Sequence, residues 1–535
     1  MSRIVFDYAR PVIESDPARN DVACFVGLAR VTGTSLPPAI QAWLQTHGWT
    51  NGPAARSIDP PFTDIPIPVE GYATFTSLFD PGGSPTSYGT DYLAAAVRSF
   101  FAQGGRRCYV VRMDDPVSPQ DSILQAGITG KSRKLTALLP DTLYTADDRR
   151  SWHAVGHLGG LPDVSFLALP DLPALCASSS TVAGGAVSAV AAGPSQFVEC
   201  SPVGTILAPI PLFPLPAPRL TMVDYGVWAS SVNTILEYRL QNNIREIQFV
   251  AAFPLPQDLD AAAAAEDPSS AELAQDIHDV ISNWMKENIQ PGVDTQPPPD
   301  PGLSTAFLQL AYPWLRTTGS NVLNESLEPP DGALVGILAR NALTRGAFTD
   351  ATKIVPAEIS DVWPSLPAQE LLVPVTPLVW GFDAWKPLII RLSLFGFTPA
   401  GLRLLSDVTA YPGEAYRPAR VHRLVSVILR ASRQLGERIV FQQNGPALWG
   451  TVEVTLGQLM TQLWSLNALD GETVQDAFSV RCDASTMTQN DLDNGRLIAQ
   501  VTFTAAATIE VIRVTLALET SGASVQSIAD LAEAS

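Results

Sequence analysis

Histidine, cysteine and charge are all scarce in this chain of 535 residues: it has five histidines, five cysteines, and only 16% Asp, Glu, Lys and Arg together. So few imidazoles leave His-dependent nucleophilic catalysis with almost no partners to draw on. The cysteines (Cys24, Cys108, Cys176, Cys200 and Cys482) are odd in number and scattered without paired spacing. That favours synthesis in a reducing cytoplasm over a disulfide framework. Basic residues are in the minority, 34 against 53 acidic ones, for a net charge of −19. This balance argues against a nucleic-acid partner, which needs clustered Lys and Arg on its phosphates, and against a polybasic hold on a membrane. No N-terminal signal peptide is expected, because Arg3 and Asp7 interrupt the start before any sufficient apolar run. The most apolar span, residues 182–213, is broken by Pro194, Glu199, Pro202 and further prolines, so no membrane insertion is expected.

Motifs that suggest an enzyme fail on their own chemistry. Gly130-Lys131-Ser132 has the end of a phosphate loop, but Gln125 stands where its first glycine belongs. His153 and His157 have the spacing of a zinc helix, yet Ala154 replaces the general-base Glu, and Gly156, Gly159 and Gly160 weaken the helix. Two histidines in a loop or at a helix end are expected instead. Gly302-Leu303-Ser304-Thr305-Ala306 comes nearest to a nucleophile elbow and sits beside a Pro-rich linker. Asp and Glu are plentiful but no pair stands out. The expectation is no catalytic residue, no metal and no cofactor.

The residues that are present describe a large mixed α/β protein. The length gives a prior of roughly three to four domain-sized units. Hydrophobic residues make up 46% of the chain, and its charged fraction lies below the roughly 25% usual for soluble domains. Buried surface between subunits accounts for this; so do the many alanines and the 45 prolines. Residues 1–20 look like an extended arm with a β-prone start at Ile4, Val5 and Phe6. An α/β unit follows over 21–115: a strand near Phe25, a helix over 91–103 with Leu93, Ala96, Val97 and Phe100 on one face, Gly104-Gly105 as its stop, and a strand at 108–112. Residues 164–169 and part of 244–253 are further strands. Ser269 and Glu272 form a capping box for a helix carrying Leu273, Ile277, Val280, Ile281 and Trp284. Residues 291–302 are a Pro-rich linker.

The C-terminal region is the most ordered and has almost no chemistry. Asn444 and Gly445 cap a helix with Pro446 in its first turn. Leu448, Val452, Leu456, Leu459 and Leu463 then recur at helical spacing, with Trp449 and Leu466 widening the stripe. Asp470-Gly471 ends it. A strand over 477–483, a polar loop over 485–491 and two β-runs, 497–504 and 509–518, follow; Ile512, Val514, Leu516 and Leu518 alternate on one face. Cys482 lies in a strand facing a core. Just upstream, a helix over 418–435 carries Arg420, Arg423, Arg430 and Arg433, flanked by Arg417 and Arg438 and opposed only by Glu437. These arginines either pair with the chain's own carboxylates or face an acidic partner.

This ordered series resembles the C-terminal domain of contractile tail sheath proteins. The matching residues are Phe441, Asn444, Leu448, Trp449, Leu463, Trp464, Ala468, Leu469, Gly471, Ala477, Phe478, Val480, Cys482, Asp483, Asp491, Gly495 and Leu497. Upstream, Tyr312-Pro313-Trp314-Leu315, Glu328 to Arg340 and Thr344 to Phe348 are similar to a further block of that family. So are Asp21 to Ala29 and Tyr92 to Arg112, in the family's order. The chain departs from the family at 504–512, which lacks its prolines, and at 404–409.

The resemblance implies a multi-domain sheath subunit: an N-terminal arm (1–20), central and outer domains with insertions (21–400), and an inner C-terminal domain with a terminal strand (401–535). It implies stacked hexameric rings around an inner tube, ended by baseplate and cap proteins, which contract to drive the tube through a target envelope. Assembly would be cytoplasmic, within a phage tail-like particle that is later released. Neighbouring subunits would be joined by β-augmentation through Ile4, Val5 and Phe6 and through the terminal strands, with Val501, Phe503, Val514 and Leu516. Arg420, Arg423, Arg430 and Arg433 would meet the tube or the next subunit. The alternative is a non-contractile assembly or receptor-binding protein on a sheath-like fold.

Overall fold

The computed structural model describes residues 19–528 apart from 52–54, 81–90, 119–120, 122–123, 126–127, 141–147, 179–215, 257–302, 366–387, 412, 440–441, 494–495, 507–510 and 520–521. The β-prone start at Ile4, Val5 and Phe6, Cys200, the apolar span 182–213, the capped helix from Ser269 and the Pro-rich linker lie outside the described residues.

Strands rich in β-branched and aromatic residues build a large sheet. In chain order they are β1 (Val22–Leu28), β2 (Pro66–Val69), β3 (Cys108–Asp114), β4 (Val164–Ala168), β5 (Gln248–Ala252), β6 (Leu308–Tyr312), β7 (Ser393–Thr398) and β8 (Gly401–Leu404). They lie side by side in the order β8-β7-β6-β5-β4-β1-β3-β2. The strands from β7 to β3 run parallel, and antiparallel β8 and β2 close the edges. The inner strands are largely apolar, as in VACFVGL and LQLAY, and buried along their length. A parallel sheet covered by helices on both faces requires that composition. Pro66 and Pro68 on β2 have no N–H to offer a further strand, which blunts that edge.

The covering helices include α1 (Tyr92–Ala102), α2 (Gly130–Leu138), α3 (Met222–Gln241) and α4 (Asp331–Thr344). The expected apolar face of α1 is buried, but so are Tyr92, Ala94, Ala95 and Ser99, because α4 covers its outer side. The approach is close: a Cβ on Gly332 would stand 2.4 Å from Ala96 Cα, and one on Gly336 would stand 2.6 Å from Phe100 O. Glycine at these two positions lets helix backbones touch.

A second unit holds α5 (Ala419–Ile439), α6 (Pro446–Ser465) and an antiparallel sheet of β9 (Phe478–Arg481), β10 (Leu497–Thr504), β11 (Val511–Glu519) and β12 (Gly522–Ile528), paired in that order. Two apolar cores follow from this layout, one drawn from residues 22–410 and the other from 415–516. The stripe on α6 is Leu448, Val452, Leu456, Met460 and Leu463. Met460 takes the inward place expected of Leu459, and Leu466, beyond the helix, is exposed. Gly445 is the N-cap; Asn444 does not cap, its Oδ1 instead accepting Trp449 Nε1 at 2.7 Å. The helix stops before Asp470-Gly471, where Asn467 turns to a φ of 58°. Cys482 is buried but lies just past the end of β9, and Gln489–Asp493 forms a helical turn inside the expected loop. β12 is a strand beyond the two terminal runs expected.

Candidate assembly interface

The basic helix α5 is amphipathic because Val421, Leu424, Val425, Ile428 and Leu429 face the second core. Arg423 and Arg430, seven residues apart, share a face turned towards the large sheet. Arg423 is buried against Asp407, with NH1 to Oδ1 at 2.9 Å and NH2 to Oδ2 at 2.5 Å, and also donates to Ala347 O at 2.8 Å. Asp407 accepts in addition from Gln309 Nε2 and Ala351 N, both at 3.0 Å. Burial pushes this carboxyl upward, but Arg423 and the other donors outweigh it and hold it below the usual carboxylate range. Arg430 donates to the carbonyls of Arg19 at 2.9 Å and Asp163 at 3.0 Å, and to Val164 O; burial lowers its pKa to about 10. Arg433 pairs with Glu246. The expectation was that Arg423, Arg430 and Arg433 meet the tube or the next subunit; in the structure each is engaged inside the chain, joining the helix of the second unit to the first.

Arg420 is different. It is half-buried and lines a cleft of about 140 Å³ with Arg345, Phe348, Lys353, Asn467 and Ala505. No ion pair engages Arg345, Lys353 or Arg420 among the described residues. The cleft lies where the end of α4 and the loop after it meet α5 and the β10 end of the second sheet.

The terminal strands are placed inside the chain's own sheet. β10 pairs with β9 on one side and β11 on the other, and β11 pairs with β10 and β12. Val501, Phe503, Val514 and Leu516 are buried in the second core. Both edges of β10 and β11 are therefore occupied, and among the described residues no strand pairs with the outer edge of β9 or of β12.

The other motifs take structural places. Gly130-Lys131-Ser132 opens α2, capped by Thr129, and Lys131 Nζ donates to Ala177 O at 3.1 Å. His153 and His157 both converge on Asp64: His157 Nε2 is 2.7 Å from Oδ1 and His153 Nδ1 is 3.2 Å from Oδ2, with Arg56 also 3.2 Å away. Burial raises the Asp64 carboxyl, but the two histidines more than reverse this. Burial lowers His157, whereas the hydrogen bond to Asp64 raises His153. Asp64 was not visible as their partner, since it lies about ninety residues earlier and no spacing rule connects it to them. Among the described residues no group of three or more His, Cys, Asp or Glu could hold a metal ion, and no helix is long and apolar enough to cross a membrane.

In open α/β sheets ligands sit where neighbouring strands lead off in opposite directions, here between the C-terminal ends of β1 and β4. Asp171 fills that place: its Oδ2 accepts Leu28 N at 2.8 Å, and a Cβ on Gly27 would stand 2.4 Å from it. Burial pushes Asp171 well above the usual carboxylate range and takes Asp331 and Glu328 to about 7 each, against hydroxyl donation to Glu328 from Ser99 and Thr317.

The native state thus keeps protons on Glu328 and Asp331 that the unfolded chain, with carboxyl pKa values of about 4, has released. Their contribution to stability is fully present below the unfolded pKa and is lost as pH rises through about 7. Replacing Glu328→Gln should flatten this part of the stability profile and raise stability at pH 8 relative to the wild type by on the order of 2–3 kcal/mol. Denaturant midpoints from pH 5 to 8 check it. A profile parallel to the wild type would show that Glu328 is ionised throughout.

No family model matches the chain, and no curated protein is similar to it. Solved structures are. The chain is similar to a chain of the anti-feeding prophage (AFP) baseplate in its contracted state, at 17% identity and a TM-score of 0.53, covering 94% of this chain and 93% of that one. It is similar to a chain of the six-fold symmetrised AFP baseplate at 15% identity and a TM-score of 0.51, covering 95% and 97%. A third likeness is to the AFP helical sheath in its contracted state, at 15% identity and a TM-score of 0.50, covering 95% and 96%. Over nearly its whole length, this chain has the fold of these contractile-particle proteins.

Proposed function

We propose that the chain is the structural subunit of a contractile sheath. It polymerises as stacked hexameric rings around an inner tube and contracts to drive that tube through a target envelope. The observation that carries this reading is the likeness of fold to the contracted AFP helical sheath, which spans 95% of the chain. The sequence blocks from Asp21 to Leu497 support it independently. No nucleotide is needed, because the energy resides in a metastable extended lattice whose many small contacts convert together.

The partners are other copies of the chain, the inner tube, and baseplate and cap proteins. Assembly takes place in the cytoplasm, within a phage tail-like particle that is then released. The arm (1–20) and the outer edges of the second sheet connect neighbouring subunits, with residues 21–400 as central and outer domains and 401–535 as the inner domain. The outer edges of β9 and β12, unpaired among the described residues, support such strand addition, since an unpaired strand edge is a template for another chain. Arg420 is the member of the basic set left to face a neighbour or the tube.

Negative-stain electron microscopy of the protein, alone and with the products of its genomic neighbours, tests the reading. The expected result is long hollow tubes with helical striations, lost when residues 1–20 are deleted. Dispersed monomers or one small ring under both conditions would overturn it in favour of a non-contractile or receptor-binding role.

A further inference from the structure

The cleft lined by Arg345, Lys353 and Arg420 concentrates cationic charge in a chain whose net charge is −19. Its one lining carboxylate, Asp350, already accepts the Thr352 backbone N–H at 2.9 Å. Among the described residues Arg345 makes one long side-chain hydrogen bond, 3.4 Å to Asp350 O. Phe348, Ala468 and Ala505 give the cleft an apolar floor, which lowers the local dielectric and strengthens any charge pair formed over it.

The same chain carries an opposite surface. Between Arg438 and Arg481 it has no lysine or arginine, while Glu453 on α6 and Asp470, Glu472 and Asp476 after it are exposed. None of these four takes part in an ion pair among the described residues. Glu453 lies fourteen positions before Asn467 at the cleft, roughly 20 Å along the helix at 1.5 Å per residue, whereas Asp470 follows the cleft-lining Ala468 by two positions, so the flank runs from the rim of the cleft away along α6. A helical lattice is built from heterologous contacts, each requiring two different and complementary patches on one body. An exposed basic cleft and an exposed acidic flank on the same chain meet that requirement.

We infer that the cleft at Arg345, Lys353 and Arg420 receives carboxylates from the acidic flank, residues 453–476, of a second copy of this chain. The inference rests on the sheath reading above and names one contact of that lattice. Within it, arginine and lysine fix orientation and exclude a wrongly docked neighbour, because like-charge juxtaposition is repulsive. The contact weakens as salt screens it.

A charge-swap experiment on the full chain, read by electron microscopy and sedimentation, tests this. Arg420→Glu combined with Lys353→Glu should abolish tubes while leaving the circular dichroism and thermal midpoint of the monomer unchanged. Adding Glu453→Lys and Glu472→Lys to that variant should restore them. The milder pair Arg420→Gln and Lys353→Gln should shorten tubes and make them more sensitive to salt, and it serves if the reversal misfolds. Tubes formed by the reversed variant as readily as by the wild type would overturn the inference and leave the sheath reading intact. Loss of tubes that no acidic-flank swap restores would also overturn it, assigning the cleft to another component such as the inner tube. Absence of tubes from the wild type itself would overturn the sheath reading, and the inference with it.

Discussion

Replacing Asp407→Ala should destabilise the chain by about 3–5 kcal/mol, the range seen when one partner of a buried ion pair is removed and the other stays behind uncompensated. Asp407 and Arg423 are both buried, and the guanidinium has no water to turn to. Asp407 also collects Gln309 and the Ala351 N–H, so the change removes an acceptor from the large sheet and from the turn after α4 as well. Urea denaturation of the monomer measures the loss. The double variant Asp407→Asn with Arg423→Met should recover most of it, because removing both charges removes the uncompensated one. A single variant within about 1 kcal/mol of the wild type would mean that water reaches Arg423.

The second large effect is expected at the contact of α1 with α4. Gly332→Val or Gly336→Val should cost about 3 kcal/mol, the upper end of overpacking penalties. The atoms that a new Cβ would meet are backbone, Ala96 Cα at 2.4 Å and Phe100 O at 2.6 Å, and cannot rotate away. The gentler Gly336→Ala discriminates well. In an ordinary helix interior it would stabilise by up to about 1 kcal/mol through propensity, so a loss of stability identifies the steric contact. A gain would show that the helices can separate without penalty.

How legible the chain was depended on the range of the signal. β1, α1, β3 and β4 were expected within a residue or two, and β10 at Leu497–Thr504 to the residue, because alternation and helical spacing are local properties of the backbone. The end of α6 was misplaced: the chain leaves the helix by Asn467, which takes a φ of 58°, four residues before Gly471. β12 was missed because its GASVQSI run has little apolar alternation. Its pairing with β11 supplies what its side-chain pattern does not.

The candidate interface divides in the same way. The sequence located a basic helix and a strand-rich C-terminus, and the scarcity of histidine already argued against His-dependent nucleophilic catalysis. It did not reveal which arginines were available. Arg420, Arg423, Arg430 and Arg433 look alike in sequence. Only the fold shows that Asp407, Glu246 and the carbonyls at 163–164 take up three of them and leave Arg420 at the cleft. The cause is physical: periodicity specifies which face of an element is apolar, but the partner of a buried charge is whatever the tertiary fold brings within about 3 Å, often from far along the chain. Element type, buried strands and the absence of catalytic motifs were therefore determined by the sequence alone. Partners of buried charge, close helix contacts and the remaining open edges were decided by the tertiary structure.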